Sequence, residues 1–195
     1  MNLPNRLTVL RIVLIPIFVT LYFVRFPWHA VAATCVFAVA SATDFLDGYI
    51  ARKRNLVTNL GKFLDPIADK ILVACALIAV CVSAPTVRQP MPFFICVAVF
   101  TMIILSRELM VSGFRIVAAD KGVVLAADML GKIKTVLQMF ALLLLLPVGD
   151  IAAASAMGGE VVYYIGFGLL AAATLMTIAS GMNYILRNRT VLEGG

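Results

Sequence analysis

A chain of 195 residues that is 63% hydrophobic and only 13% charged cannot close a soluble domain over so much apolar surface. Its formal net charge of +6 is scattered between long apolar runs. That pattern fits membrane topology and contact with anionic lipid headgroups, and argues against nucleic acid as a partner.

Backbone polar groups inside a bilayer must be paired within the protein, so only helices or closed barrels can span it. The apolar runs here are continuous rather than alternating, which selects helices. About 20 residues at 1.5 Å rise cross a ~30 Å hydrocarbon core. On that criterion the sequence predicts an all-α membrane protein, a bundle of six transmembrane helices at about 6–25, 31–52, 62–83, 92–118, 128–147 and 161–186. The connections are short, with no internal repeat, so residues 1–195 read as a single membrane domain.

Span 1 has no separate basic region and no small-residue cleavage site, and Arg11 interrupts it, so it is expected to remain as a helix rather than act as a cleaved signal. Asn5, Thr8 and Arg11 recur at i, i+3 and i+6, a polar stripe about 120° wide. The stripe fits either amphipathic insertion or the wall of a pocket. At the start of span 2, Trp28 and the only histidine, His29, fit an interfacial aromatic belt. A lone histidine excludes mechanisms that need two. Cys35, Cys75, Cys81 and Cys96 lie in apolar runs without CxxC spacing and read as small packing residues.

The end of span 2 and the start of span 3 are different in kind. An ionised carboxylate at a helix centre in a bilayer costs about 2.5–3.5 kcal/mol or more, yet Asp44, Asp47, Asp65 and Asp69 fall in this stretch. Asp44 and Asp47 are i and i+3, and Asp65 and Asp69 are i and i+4, so each pair shares one helix face. A short connection makes the two helices antiparallel neighbours whose faces can converge on one pocket. Oxygen ligands suit hard divalent cations, and four carboxylates balance two Mg²⁺ or Mn²⁺ ions, the usual clamp for displacement at phosphorus. The competing reading pairs each aspartate with Arg52, Lys62 or Lys70.

Gly48 and Ala51 leave the same face of span 2 without bulk, and Arg52 adds a forked cation suited to phosphate oxygens. Gly61 offers close approach on the facing helix, and Thr58 and Asn59 offer caps for span 3. In span 4, Arg107 and Arg115 are eight residues apart, about 80° around a helix, and can face one cavity. Lys132 and Lys134 are about 200° apart, so one can bind an anion while the other reaches lipid headgroups. Glu108 can orient Arg107 or another basic residue.

Of the 16 basic residues, all but Arg25 and Arg88 fall on one side of the predicted spans. The positive-inside rule puts that side, with both termini, in the cytoplasm.

The stretch Asp44-x2-Asp47-Gly48-x2-Ala51-Arg52-x8-Gly61-x3-Asp65-x3-Asp69 fixes eight residues in 26 positions. It resembles the signature of the CDP-alcohol phosphotransferase family at every fixed position. The resemblance implies six transmembrane helices, a homodimer, dependence on Mg²⁺ or Mn²⁺, and a site facing the cytoplasm. It also implies transfer of a phosphatidyl or similar group from a CDP-linked donor to an alcohol, with release of CMP. The stretches NLPNRLTVLRIVLIP, SRELMVSGFR and GKIKT resemble the branch of the family whose acceptor is sn-glycerol 3-phosphate. That likeness runs to about residue 140, and the last span is generic.

Together these readings give expected roles. Asp44, Asp47, Asp65 and Asp69 hold two metals, and Asp69 is also the base for the acceptor hydroxyl. Gly48, Ala51, Arg52, Thr58, Gly61, Asn5 and Thr8 receive CDP-diacylglycerol, while Arg107, Arg115, Lys132 and Lys134 receive glycerol 3-phosphate. The expected location is the inner membrane of a bacterium. The alternatives are the same chemistry on serine, inositol phosphate or phosphatidylglycerol, and a divalent-cation transporter. A transporter usually keeps its carboxylates at mid-membrane in broken helices with inverted repeats.

Overall fold

The computed structural model describes the backbone over residues 3–54, 59–83, 91–120 and 129–187. It describes side chains over 7–43, 67–83, 92–116 and 129–184, with Ala118 and Leu186. All regular structure among these residues is helical: α1 (Leu3–Phe23), α2 (His29–Arg54), α3 (Asn59–Ser83), α4 (Met91–Asp120), α5 (Met129–Leu145), α6 (Val148–Ala154) and α7 (Ala156–Arg187).

Among the described residues, three stretches are long and apolar enough to cross a membrane: Pro92–Ile116, Met129–Ala154 and Ala156–Tyr184. Two shorter apolar helical stretches, Leu7–Phe23 and His29–Thr43, accompany them. Large apolar side chains point outward along these helices, among them Met102 at 66%, Leu175 at 69% and Ile116 at 71% exposure. A water-facing surface rarely shows so much contiguous apolar area, and lipid is the solvent it suits.

The inward stripe of α1 runs Thr8, Arg11, Ile15, Phe18 and Tyr22, steps of three and four that follow the 3.6-residue turn. Phe18 packs on Phe37 of α2, with ring centroids 5.8 Å apart, so α1 and α2 form a tight hairpin. The chain reverses between them in a turn where Trp28 takes a left-handed backbone, φ 64°. On the other side of the bundle, Phe93 of α4 meets Phe167 of α7 at 5.0 Å. Thr174 and Thr177 turn their hydroxyls back onto the carbonyls of Leu170 and Ala173, which satisfies them inside an apolar helix.

The short helix α6 occupies residues expected to be only a connection. Pro147 has no N–H to continue α5, so the helical path breaks there. The path resumes for seven residues and ends at Ser155, whose backbone is extended. The Ser155 hydroxyl then accepts the N–H of Gly158 at 3.2 Å and caps α7. α7 folds back antiparallel on α5 and α6, approaching most closely at two glycines. A Cβ on Gly159 would lie 2.4 Å from the Cβ of Ala152, and one on Gly166 2.8 Å from Cγ of Leu145.

α6 also reaches across the bundle. Asp150 Oδ2 accepts the backbone N–H groups of Ala30 at 2.8 Å and Val31 at 2.9 Å, capping the first turn of α2. His29, assigned from sequence to an interfacial belt, lies half-buried with Nε2 4.0 Å from Asp150 Oδ1, whereas Trp28 is exposed. All four cysteines are free thiols.

Candidate active site

α4 and α7 finish, and α3 and α5 begin, at one end of the bundle. Four residues, 55–58, separate α2 from α3, so the end of α2 belongs there too. A cavity of about 470 Å³ opens at this end. α3 contributes Asp69 and Lys70, α4 contributes Arg107, Glu108 and Arg115, α5 contributes Gly131, Lys132 and Lys134, and α7 contributes Tyr184. Among the described residues, five basic side chains thus face two acidic ones, a balance that suits an anion.

The cations are held by specific partners. Lys134 is buried at 3% exposure and donates to Glu108 Oε1. The same oxygen lies 3.6 Å from Arg107 Nη1, so one carboxylate serves a lysine on α5 and an arginine on its own helix. Arg107 Nη2 donates to Ser180 Oγ at 2.7 Å. Arg115 Nε donates to Tyr184 Oη at 3.4 Å, and its guanidinium carbon is 5.8 Å from that ring's centroid. Lys70 Nζ donates to Ser112 Oγ, which in turn donates to the Glu108 carbonyl at 2.5 Å. A buried cation without such partners would cost several kcal/mol.

A second, mostly apolar space of about 220 Å³ adjoins this cavity and shares Asp69, Lys70, Glu108 and Lys134 with it. Val73, Leu105 and Met139 give it an oily wall. The polar cavity and the apolar space therefore meet at Asp69, an arrangement suited to a reactant that is part headgroup and part hydrocarbon.

The structure thus gathers Asp69, Arg107, Arg115, Lys132 and Lys134 around one space. Both lysines line this space, Lys134 buried within it and Lys132 exposed. Thr8 is buried at 1% and Arg11 at 0% on the inward face of α1. Asp44, Asp47, Gly48, Ala51 and Arg52 lie on the last turns of α2, and Gly61 and Asp65 on the first turns of α3. Their side chains, like that of Asn5, lie outside the described residues, as does Thr58 altogether.

Among the described residues no group of three or more His, Cys, Asp and Glu side chains gathers in one place. The donor set nonetheless fits a hard divalent ion. Both aspartate pairs lie in continuous α-helix at spacings of i, i+3 and i, i+4, and carboxylate oxygens are the donors such an ion prefers.

Sequence reasoning left four residues out of this site. From sequence Lys70 reads only as an ion-pair partner, though its place directly after Asp69 is a signal. Ser112, Ser180 and Tyr184 gave none, because a small hydroxyl or an aromatic in an apolar span also fits ordinary helix packing.

The model of the CDP-alcohol phosphatidyltransferase family matches residues 1–182, which carries the likeness into α7. A CDP-diacylglycerol–glycerol-3-phosphate 3-phosphatidyltransferase of Bacillus subtilis (strain 168) is 40% identical, over 98% of this chain and 97% of that protein. A protein of the same name from Rickettsia bellii (strain RML369-C) is 39% identical, over 94% and 93%. Another from Shigella flexneri serotype 5b (strain 8401) is 35% identical, over 98% and 97%.

Proposed function

The chain belongs to the CDP-alcohol phosphatidyltransferase family, and on that premise we propose that it transfers the phosphatidyl group of CDP-diacylglycerol to sn-glycerol 3-phosphate. The products are phosphatidylglycerophosphate and CMP. Near-full-length relatives named for this reaction support the assignment. The observation that carries the acceptor is the cavity with five basic side chains beside Asp69. An acceptor that brings its own phosphate dianion needs fixed cations, whereas an unphosphorylated one such as serine has less need of them.

The acceptor's phosphate sits among Arg107, Arg115, Lys134 and Lys70, with Lys132 drawing it in at the mouth. Its free hydroxyl then points toward Asp69. That hydroxyl oxygen attacks the phosphorus carrying diacylglycerol, the bond from that phosphorus to the bridging oxygen breaks, and CMP departs with the electron pair. Asp69 takes the hydroxyl proton. Asp44, Asp47, Asp65 and Asp69 would hold two Mg²⁺ or Mn²⁺ ions, which would supply electrostatic stabilisation of the diphosphate. Gly48, Ala51, Arg52, Thr58 and Gly61, with Asn5 and Thr8 of α1, receive the cytidine and diphosphate of the donor. Catalysis of this kind consists mostly of positioning and charge stabilisation.

In this reading the single domain spans the inner membrane of a bacterium six times, with α5 and α6 together forming one crossing. Both termini and the cavity face the cytoplasm, anionic lipids surround the basic rim, and the protein works as a homodimer. The donor's acyl chains stay in lipid while its cytidine reaches water. The test is to give purified protein CDP-diacylglycerol with labelled glycerol 3-phosphate, serine, inositol phosphate or phosphatidylglycerol, and to identify the lipid formed. A phosphatidylglycerophosphate product is expected. Turnover of another acceptor in its place would overturn the assignment.

A further inference from the structure

α7 has no acidic or basic residue between Glu160 and Arg187, yet it touches both arginines of the cavity. Ser180 and Tyr184 are i and i+4, one turn apart on the same face. Ser180 is fully buried and accepts Arg107 Nη2 at 2.7 Å. Tyr184, buried at 4% exposure, takes Arg115 through its hydroxyl and under its ring. Its own ring is fixed edge-on by Phe114, with centroids 5.7 Å apart.

One glycine, Gly181, makes the room, and a second, Gly131, leaves space for no more than ordinary contact. A Cβ on Gly181 would stand 3.3 Å from Arg107 Cγ, so the arginine's stem lies against bare backbone of α7. A Cβ on Gly131 would stand 3.9 Å from Arg107 Nη2 and 3.6 Å from Ser180 Oγ. The guanidinium thus passes between α5 and α7 to its serine. A guanidinium has five N–H donors, more than Ser180 uses. An arginine side chain holds about 2 kcal/mol of rotamer entropy. A cation ordered before its ligand arrives does not pay that cost on binding.

We propose that α7 is the aiming element of the acceptor site: Ser180 positions Arg107, and Tyr184 positions Arg115, in the orientation that meets the acceptor's phosphate. The proposal rests on the reading of this cavity as the acceptor-phosphate site. Ser180 acts only through Arg107, and Tyr184 through Arg115, so both are positioning residues rather than catalytic ones.

The test is a double-mutant cycle on the full-length protein in lipid nanodiscs, reading the KM for each substrate and the thermal midpoint. Ser180→Ala removes one hydroxyl and little volume. It should raise the KM for glycerol 3-phosphate about 3- to 10-fold, the size of one ordinary hydrogen bond, leave the KM for CDP-diacylglycerol unchanged, and lower the midpoint only slightly. Added to Arg107→Ala, it should raise the acceptor KM no further. Tyr184→Leu against Arg115→Ala should couple in the same way. If Ser180→Ala leaves the acceptor KM unchanged, or raises it by the same factor with and without Arg107, the positioning role is overturned while the acceptor site stands. If Arg107→Ala and Arg115→Ala themselves leave that KM unchanged, the acceptor-site reading falls, and the positioning role with it.

Discussion

Gly166 of α7 rests directly on Leu145 of α5: a Cβ at the glycine would lie 2.8 Å from Cγ and 2.9 Å from Cδ2 of the leucine. No real Cβ contact is so short, and Leu145 is itself buried at 4% exposure with little room to retreat. Small residues at such crossings let helices approach closely in a membrane, where packing rather than water exclusion drives association.

Gly166→Ala should therefore destabilise the protein by about 1–3 kcal/mol, the usual cost of overpacking. Gly168→Ala is the internal control, because nothing lies within 4 Å of its added carbon. It should be neutral, or stabilise by up to about 1 kcal/mol, since alanine suits a helix better than glycine. Thermal unfolding of both variants in the same detergent checks the contrast.

Asp150→Ala removes the acceptor of two N–H groups in the first turn of α2. The expected loss is about 0.5–2 kcal/mol. Asp150→Asn keeps a side-chain oxygen and should lose less. Both changes lie at the end of the bundle opposite the cationic cavity, so the KM for each substrate should stay at its normal value while the thermal midpoint falls.

Arg107→Ala and Arg115→Ala should raise the KM for glycerol 3-phosphate far more than that for CDP-diacylglycerol. A charge-assisted hydrogen bond is worth about 1.5–3 kcal/mol, or roughly 10- to 150-fold. Arg107→Lys should not restore it, because an ammonium cannot reproduce the forked geometry that reaches Ser180 and Glu108 together. Steady-state kinetics with each substrate varied in turn gives the comparison, and equal losses for both substrates would point to a structural role.

The long helices could be read before any coordinates because apolar length accumulates residue by residue and needs no partner. That Arg107 and Arg115 can line one cavity is legible for a similar reason, since helical angle depends only on their spacing. α6 escaped that logic. Pro147 and Gly149 look like a turn, and seven residues are too few to carry a period. The partners of the arginines escaped too, because nothing local marks Ser180 or Tyr184 as facing α4. Which side chain of one helix meets which of another is set by how the helices cross, and a single sequence carries no direct record of it.

The aspartates divide into ligand and base by a measurement on two variants. Asp44→Asn should weaken metal binding and metal-dependent CDP-diacylglycerol binding together, and chelation of Mg²⁺ or Mn²⁺ from the unaltered protein should do the same. Asp47→Asn and Asp65→Asn should follow Asp44→Asn. Asp69→Asn keeps one oxygen ligand but cannot accept a proton. It should retain donor affinity while turnover falls about 10²- to 10⁴-fold, the usual share of general-base help. If Asp69→Asn loses metal as completely as Asp44→Asn, Asp69 is a ligand alone.

The reach of Asp150 also sets an order of assembly. Ala30 and its carboxylate acceptor are 120 residues apart in the chain. At ~5–20 residues per second of synthesis, the first turn of α2 is made roughly 6–24 s before Asp150 exists. The hairpin therefore enters the bilayer with the first turn of α2 still open, and α6 latches it as it leaves the ribosome. A nascent chain stalled before residue 150 would carry both early helices with their corner unlocked, and would be more open to proteolysis there than the finished protein.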